Sequence, residues 1–470
     1  MPACEFQPRK YTGPGYEKVW RIRSEHLLKN APTYYKKPLL IHEGNMQWLF
    51  DHRGRRYLDM FGGIVTVSVG HCHPKVVEAA EEQMKSLWHT TNIYLHPKLY
   101  EYAEKLLSTL PKKLQVAYFV NSGSEANDIA MLLARLHTGS YDIISFCNAY
   151  HGMSMGAMAL TAMCTWKHAV PSAFGVHHAM NPDVYRGVWG GAHCRDSPIQ
   201  TVRECSCTPG ECAASEQYYG QLEEVFKYSL PRGRIAGIFA ESIQGIGGTV
   251  QFPKGLLKKA KELVKSNGGI YIADEVQTGF GRTGEHFWGF EMHGVEPDIV
   301  TMAKGMGNGF PLAAVVTTPE IASKAEQALH FSTFGGNPVA SAVGLAVLEV
   351  IKEEKLQQRS HDVGTYLLQQ LAGLRDKFEC VGDVRGKGLM IGVEMVEDKD
   401  SRRPLPAKSF LDVWEDCKDM GLLLGRGGLS GNVFRIKPPM CITKADADFT
   451  IAVLEKALCK FTEKRERLLH

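Results

Sequence analysis

Two ionisable side chains follow apolar runs at points where predicted strands end. Asp274 follows the run 270–273, and Lys304 ends the segment that contains the run 299–303. A buried carboxylate needs a partner, and a protonated pyridine nitrogen is one that keeps its ring cationic and able to stabilise a carbanion. Lysine condenses with aldehydes and loses its proton readily when desolvated. Taken singly, each residue also fits a plainer role: an N-cap or ion pair for Asp274, and a solvated loop residue for Lys304.

Two further segments could bind an anion. Gly123 and Ser124 follow the apolar run 116–120 and open a predicted helix, whose N-terminus carries about half a positive charge and free backbone N–H groups. A phosphate would fit there, although Ser122 or Ser124 acting as an ordinary helix cap explains the same residues. The second segment is a Gly-rich turn that begins at Thr333 and could either bind phosphate or simply reverse the chain.

A competing motif, G-x-G-x-x-G, occupies residues 279–284. In dinucleotide-binding domains this motif opens a helix, whereas the residues that follow here are aromatic and are interrupted by Gly289. The context therefore argues against a nicotinamide cofactor. A single cofactor that carries an aldehyde, a ring nitrogen and a phosphate accounts for all three features: the anion cradle formed by Gly123 and Ser124, the acid Asp274 and the lysine Lys304.

The elements that must position these residues form an alternating pattern. From about residue 74, helical stretches alternate with short apolar runs at 116–120, 143–146, 235–240, 270–273, 299–303 and 313–317. This pattern predicts a mostly parallel sheet covered on both faces, with ligands beyond the carboxyl ends of its strands. We expect an N-terminal arm with strands that pack on the small domain (1–73), a large α/β domain (74–337) and a smaller α+β domain (338–470), with a long loop at 182–215.

From about residue 34 to about residue 460 the sequence resembles the class III (ω-amino acid) aminotransferases of fold type I. The most specific stretch is A-D-E-V-Q-T-G-F-G-R-T-G at 273–284, with Lys304-Gly305 downstream. The resemblance implies a pyridoxal 5′-phosphate enzyme that transfers amino groups between small amino acids and oxo acids. It also implies a homodimer or homotetramer with the active site at the dimer interface.

The resemblance implies a role for each matching residue. Lys304 and Asp274 are the catalytic pair: Lys304 forms the Schiff base with the cofactor and then moves a proton between Cα and C4′, while Asp274 binds the pyridine nitrogen. The other implied cofactor contacts are Gln277 near the ring hydroxyl, Tyr150 on the ring face, Gly123 and Ser124 at the phosphate, Thr333 at the phosphate of the neighbouring subunit, and Glu241 on the substrate side.

Substrate recognition is assigned to Arg435, whose guanidinium suits a bidentate bond to a carboxylate. An exposed strand arginine would explain the same residue. We expect an apolar wall that includes Ile64, Val65 and Trp88 and leaves no second cation, so that small oxo acids outcompete 2-oxoglutarate. Ser242 stands where many relatives carry proline, which puts the local backbone geometry in doubt but not the chemistry.

Within the family, the stretches 64–74, 189–198 and 382–390 are most similar to the mitochondrial alanine–glyoxylate branch. That resemblance implies alanine or a β-amino acid such as 3-aminoisobutyrate as donor, and glyoxylate or pyruvate as acceptor. This chain begins about where the mature form of such a protein would, so we expect a mitochondrial protein, with the cytoplasm as the alternative. A phospho-lyase acting on phosphorylated amines and an inactive binding protein of the same fold remain alternatives.

The amino-acid composition mainly excludes certain classes of function. The net charge of +3 and the lack of a basic block give no argument for nucleic acid, and no apolar run approaches the roughly 18 residues of a membrane helix. The 12 cysteines are spread along the whole chain, which indicates reduced thiols rather than a disulfide scaffold. Cys194, Cys205, Cys207 and Cys212, with His193, lack the tight paired spacing of zinc sites, so we expect free thiols in a surface loop and no metal.

Overall fold

A seven-stranded sheet lies at the centre of the protein, in a computed structural model that describes residues 1–172, 174–208 and 211–469. Its strands, in spatial order, are Val116–Val120, Ala313–Thr317, Ile299–Met302, Ile270–Asp274, Gly237–Glu241, Ile143–Phe146 and Val176–Ala179. The last five run parallel to one another, while Ala313–Thr317 is antiparallel to both of its neighbours. The expected α/β class with a mostly parallel sheet is therefore confirmed.

Both faces of this sheet are buried, and its strands therefore appear in the sequence as continuous apolar runs. Successive residues of the strand Ile270–Asp274 enter two different clusters: Ile270 and Ile272 pack on one face, and Tyr271 and Ala273 on the other. The helix Gly123–Thr138 covers the first face, and the helices Ala213–Tyr228 and Leu256–Ser266 lie on the second. The sheet is thus held rigidly at its middle, and its strand ends are left to carry polar residues.

Three smaller sheets complete the described part of the chain. The first contains Ile41–Asn45, Trp48–Asp51, Arg56–Asp59 and Leu422–Leu423; the second contains Val381–Lys387, Met390–Met395, Val433–Ile436 and Gly425–Gly427; the third contains Ile243–Gln244 and Val250–Gln251. In the first sheet, Leu58 pairs with Leu422, so the N-terminal strands join a strand from near the C-terminus. This pairing agrees with the expected contact between the chain ends, and the domain boundaries at 73 and 337 stay predictions.

The remaining helices surround these sheets. They are Tyr16–His26, Gly62–Val65, Pro74–Ser86, Pro97–Leu107, Ala157–Leu160, Pro319–Ser323, Pro338–Glu353, Leu356–Lys377, Ala407–Asp419 and Lys444–Leu469, with short 3₁₀ turns at Cys164–Trp166, Gly289–His293, Lys304–Met306 and Lys324–Gln327. Among the described residues, no helix has the length and apolar character needed to cross a membrane.

Several strands were not predicted, and two of them carry polar residues that hide their pattern. Val176–Ala179 contains two histidines and lies at the sheet edge. Val381–Lys387 buries charged side chains that find partners only in the folded chain: Asp383 accepts two hydrogen bonds from Arg195, at 2.7 and 3.0 Å, and both side chains are fully buried. Since the partner lies about 190 positions earlier in the sequence, the local pattern gives no sign that these charges are buried.

Candidate active site

The register of the central sheet brings three of the predicted site residues to one edge. Asp274 lies opposite Glu241 on one neighbouring strand and opposite Thr301 on the other. Lys304 comes three residues after Thr301, at the start of a 3₁₀ turn. Because these strands are parallel, their carboxyl ends meet, and the two acids and the lysine converge on the same side.

Asp274 is buried and accepts three hydrogen bonds. Its Oδ2 accepts from Asn127 Nδ2 at 2.9 Å and interacts with His151 Nδ1 at 2.8 Å, while its Oδ1 accepts from the backbone N–H of Val276 at 3.1 Å. Burial by itself would raise the pKa of Asp274, but the bonds from His151, Asn127 and Val276 hold this pKa below its ordinary value. The group is therefore an ionised carboxylate, and the plain N-cap interpretation does not describe it.

Asn127 and His151 were not singled out in the sequence. Asn127 projects from the helix Gly123–Thr138, four residues beyond the anion cradle, and its Nδ2 also donates to the His151 carbonyl at 2.7 Å. His151 directly follows Tyr150, and its ring packs edge-on to Phe239. The only available signal was their proximity to motifs already identified, because their common partner, Asp274, lies more than 120 residues away.

Glu241 is also buried, and its oxygens are bonded to backbone. Oε1 accepts from the Tyr150 N–H at 3.0 Å and Oε2 from the Gly245 N–H at 2.7 Å. Burial, with the negative charge of Asp274 nearby, raises the pKa of Glu241. The glutamate thus fixes the segment that carries Tyr150, whose ring is half-buried and packs edge-on against Trp166 at 5.0 Å.

Ser242, the residue that departs from the family pattern, joins a buried hydrogen-bond network. Its Oγ donates to Glu275 Oε1 at 2.5 Å, and Glu275 also accepts from Thr278 Oγ1 at 2.9 Å and from the N–H groups of Gly289 and Phe290 at 2.7 and 2.8 Å. Four donors surround the carboxylate of Glu275, so the serine gives a donor that proline lacks. The departure is accommodated without disturbing the neighbouring Glu241.

Lys304 has an unusual backbone conformation and an altered amine. Its φ is +50°, in the left-handed region that is costly for a non-glycine residue. Burial, opposed by Asp274 and assisted by Arg435, lowers the pKa of Lys304 to about 8. An amine with this pKa is partly uncharged at neutral pH, as a nucleophilic lysine requires.

Residues far upstream fasten the turn that carries Lys304. Ser68 Oγ donates to the Gly305 carbonyl at 2.6 Å. Asn308 accepts from the Val69 N–H at 3.0 Å and donates to the Gly70 carbonyl at 2.8 Å. These bonds explain how the strained conformation at Lys304 is maintained, and they were not predicted.

The start of the helix Gly123–Thr138 forms an open cradle. Ser122 caps the helix, since its Oγ accepts the N–H three residues ahead at 3.2 Å. Ser124 is therefore free of that task, and its Oγ accepts from the Met153 N–H at 3.1 Å. The first N–H groups of a helix, here those of Gly123 and Ser124, have no intrahelical acceptor. A phosphate is the kind of group that satisfies them.

Arg435 is buried rather than exposed, and this excludes the plain surface interpretation. Its Nη2 donates to Gln277 Oε1 at 3.2 Å, and its guanidinium lies 5.3 Å from the centre of the Phe61 ring. Its Nε is buried and has no acceptor among the described residues. Burial lowers the pKa of Arg435 to about 10, so the side chain still carries its charge at neutral pH. A buried cation with a free donor is suited to a carboxylate ligand.

A second lysine, Lys437, lies in the same place and was not anticipated. Its Nζ donates to Gln277 Oε1 and to the Gly245 carbonyl, both at 3.3 Å, and the side chain is fully buried. Burial, together with the charge of Arg435, lowers the pKa of Lys437 well below its ordinary value. The shift acts against the charged form of Lys437, and Arg435 is the stronger cation beside Gln277.

Three predicted residues lie on the surface of the single chain. Thr333 is in an exposed turn, and Ile64 and Trp88 of the expected wall are 43% and 64% exposed, whereas Val65 is buried. The predicted role of Thr333 depends on a second subunit, and the predicted roles of all three residues stay predictions.

The G-x-G-x-x-G segment at 279–284 packs against the C-terminal part of the chain. Arg282 donates to the Pro438 carbonyl, and its own carbonyl accepts from Ser360 Oγ at 2.6 Å. The element that follows is the short turn Gly289–His293, not a helix that could hold a pyrophosphate. The segment therefore has a structural role here.

Comparison with known protein families agrees with the kind of site that this geometry indicates. The family model described as "Aminotransferase class-III" matches residues 30–458. The chain belongs to the class III aminotransferases. It is 58% identical to human mitochondrial alanine–glyoxylate aminotransferase 2 over 99% of this chain and 91% of that one. The family depends on pyridoxal 5′-phosphate, as expected from the acid, the lysine and the cradle.

Solved structures show the same fold. An Arthrobacter phospholyase in complex with phosphoethanolamine is 32% identical, with a TM-score of 0.84, and the match covers 94% of this chain and 99% of that one. An amine transaminase from an uncultivated Pseudomonas species in its PLP-bound form is 29% identical, with a TM-score of 0.84, over 93% of this chain and 99% of that one. The expected fold type I is thus confirmed for this class III aminotransferase.

Proposed function

We propose that this aminotransferase takes the amino group of alanine, or of a β-amino acid such as 3-aminoisobutyrate, and transfers it to glyoxylate or pyruvate. The observation that carries the proposal is the buried Arg435, which keeps a free Nε beside Gln277. The name of the human relative, an alanine–glyoxylate aminotransferase, supports the choice of substrates.

The residues present suit pyridoxal phosphate. A carboxylate has about four lone-pair positions, and the three donors to Asp274 leave one for the N–H of a pyridinium ring. Gly123 and Ser124 would hold the phosphate through their free N–H groups. A Cβ at Gly152 would come within 2.4 Å of Ser124 Oγ, so this cradle needs glycine there. Lys304 would hold the aldehyde carbon.

When bound, the cofactor supplies an electron sink that makes the α-proton of an amino acid acidic. Lys304 is the residue that accepts and returns this proton, because its pKa of about 8 suits a general base near neutral pH. Asp274 keeps its negative charge throughout, because its pKa is depressed. Glu241 accepts from the Tyr150 N–H and so holds Tyr150 in place.

Arg435 would bind the carboxylate of the donor and then that of the oxo acid. Burial lowers the pKa of Lys437, which makes it a weaker partner than Arg435 for a distal carboxylate. We therefore propose that glyoxylate and pyruvate are preferred to 2-oxoglutarate.

A donor-by-acceptor screen with the purified enzyme tests this proposal. Arg435→Ala should raise KM for alanine and glyoxylate steeply, because a charge-assisted bidentate contact contributes about 2–5 kcal/mol. The exposed Arg403 gives a matched control, Arg403→Ala, that should keep wild-type KM values. A best rate with 2-oxoglutarate, or unchanged KM in Arg435→Ala, would overturn the substrate assignment. Release of inorganic phosphate from a phosphorylated amine would favour a phospho-lyase instead.

We also propose that the enzyme is a homodimer or a larger homo-oligomer whose active sites lie at the dimer interface. Exposed apolar side chains cluster around two segments, 88–95 and 329–334; they include Trp88, Ile93, Tyr94, Leu95, Leu329, Phe331 and Phe334. The ring of Phe334 packs 5.6 Å from that of His89, so the two segments meet. Contiguous exposed apolar surface of this kind is typical of an interface, and Thr333 lies within it.

We further propose a mitochondrial location, supported by the name of the human relative. Fractionation of cells that express the native gene, followed by detection of the protein, tests this proposal. Recovery in the cytosolic fraction alone would contradict it.

A further inference from the structure

A cluster of three cysteines lies outside the active site. The Sγ atoms of Cys194, Cys207 and Cys212 all lie within 4.8 Å of one another. The closest recorded pair is Cys194 Sγ and Cys207 Sγ, 3.4 Å apart. The sequence grouped these cysteines with Cys205 but gave no spacing typical of zinc, since Cys194 is 13 residues from Cys207; the fold brings three of them together and leaves Cys205 out.

The surroundings hold each thiol in position. Cys194 is fully buried and adjoins Arg195, which is fixed by its bidentate bond to Asp383. Cys212 is the residue before the helix Ala213–Tyr228, and the first N–H group of that helix donates to Cys207 Sγ at 3.3 Å. A helix N-terminus stabilises negative charge on sulfur. The thiols are therefore placed to bind as thiolates.

The distances fit a metal better than a disulfide. A tetrahedral zinc ion with Zn–S bonds of about 2.3 Å sets its sulfur ligands about 3.8 Å apart. The Sγ atoms of Cys194 and Cys207 are 3.4 Å apart, and no two of the three sulfur atoms are more than 4.8 Å apart, so the observed distances lie around this value. A disulfide needs sulfurs about 2.05 Å apart and would use only two of the three thiols.

We propose that Cys194, Cys207 and Cys212 form a site for a soft divalent cation of the zinc type. Thiolate ligands select such ions over magnesium or calcium. Cys207 and Cys212 are partly exposed, so solvent can reach the site and water can serve as the fourth ligand. Binding releases the protons of those thiols that are protonated beforehand. The ion joins the loop that carries Cys194 and Cys207 to the first turn of the helix Ala213–Tyr228.

Cys205 provides a matched control within the same loop. Its Sγ donates to the Ala192 carbonyl at 2.6 Å and lies outside the three-sulfur cluster. A substitution there changes the local thiol content without removing a ligand. It therefore separates a specific site from general affinity of a cysteine-rich loop for zinc.

The experiment measures zinc in the holoenzyme purified without chelators. We expect about one zinc per chain in the wild type and in Cys205→Ser, and at least about 100-fold weaker zinc binding in Cys207→Ser and Cys212→Ser, more than outer-shell changes cause. Cofactor content, measured in the same samples, should stay unchanged. Equal zinc in all variants, or loss of zinc in Cys205→Ser, would overturn the proposal.

Cobalt substitution gives a test that needs no variant. Wild-type protein stripped of metal and given Co²⁺ should show thiolate-to-cobalt charge-transfer bands whose intensity corresponds to three sulfur ligands. Reduced protein that fails to bind either Zn²⁺ or Co²⁺, while a disulfide links two of the three cysteines in protein isolated without reductant, would show a redox pair instead and overturn the metal site.

Discussion

The carboxylate of Asp274 has more acceptor capacity than its protein donors use. His151, Asn127 and Val276 occupy three positions and keep the group ionised inside a buried site. Holding a negative charge there requires this network, because an isolated buried carboxylate would become protonated. The network therefore leaves one lone pair and a full charge free for the cationic ring that we propose as the partner of Asp274.

Replacing this charge should affect turnover rather than substrate binding. Asp274→Asn keeps the size of the side chain but removes the negative charge, so we expect kcat to fall at least about 100-fold, with kcat/KM falling in parallel. Asp298→Asn is the control, since Asp298 also lies beside a central strand but pairs with Lys113 away from the site. Steady-state kinetics of both variants provide the measurement. A near-normal kcat in Asp274→Asn would show that the acid is only structural.

The amine of Lys304 should titrate within the range of ordinary assays. With its pKa lowered to about 8, roughly one tenth of the amine is uncharged at pH 7 and half at pH 8. In cofactor-free enzyme, reductive methylation of Lys304 should therefore accelerate about fivefold from pH 7 to pH 8 and level off above pH 9. Peptide mass spectrometry follows the reaction.

The same peptide in denaturant is the reference for this titration. There the lysine takes the unfolded value near 10.4, so its methylation rate should keep rising through pH 9. Identical pH profiles for the folded and the denatured protein would contradict the lowered pKa. The sign follows from burial, which disfavours the charged ammonium and moves the midpoint to lower pH.

At the scale of elements, the start of the helix Gly123–Thr138 and the turn opposite form the cradle that we propose for the phosphate. Gly152 has a φ of +123°, and an added Cβ would collide with Ser124 at 2.4 Å from Oγ and 3.0 Å from Cα. Gly152→Ala should therefore displace Ser124 and weaken cofactor retention by at least about tenfold, the equivalent of one lost hydrogen bond to a charged group. The dissociation constant of the cofactor is the measurement.

The same helix offers a control at its other end. Gly139 ends the helix Gly123–Thr138 with a φ of +63°, and an added Cβ there meets nothing within 4 Å. Gly139→Ala should cost about 1 kcal/mol of stability through backbone strain and leave cofactor affinity unchanged. If Gly152→Ala behaved like Gly139→Ala, the close approach to Ser124 would have no functional meaning.

The elements also show which features a sequence can reveal. The central strands were predictable because both of their faces are apolar, and their polar ends marked Asp274 and Lys304 as site residues. Val381–Lys387 was not, because its buried Asp383 is neutralised by an arginine distant in sequence. Lys437 was missed for a related reason: nothing near it in the sequence shows that its amine is buried beside Arg435.

At the scale of the whole molecule, the exposed apolar segments around Thr333 support the proposed dimer. If Thr333 reaches the phosphate of the neighbouring subunit, each active site combines Lys304 of one chain with Thr333 of the other. Thr333→Ala should then weaken cofactor binding by ~1.5–3 kcal/mol, or about 10- to 150-fold, as for a lost hydrogen bond to a charged group. Lys304→Ala should abolish turnover by removing the acid–base group.

Mixed dimers of these two variants test the arrangement directly. In a dimer of one Lys304→Ala chain and one Thr333→Ala chain, one site carries both defects and the other carries none if the threonine acts across the interface. Such dimers, isolated by two different affinity tags, should show about half the wild-type turnover at limiting cofactor. Dimers that pair Lys304→Ala with Arg435→Ala should show no recovery, because we place Lys304 and Arg435 in the same chain. If the first mixture shows no activity although each variant forms dimers, Thr333 acts in the site of its own subunit or in neither site.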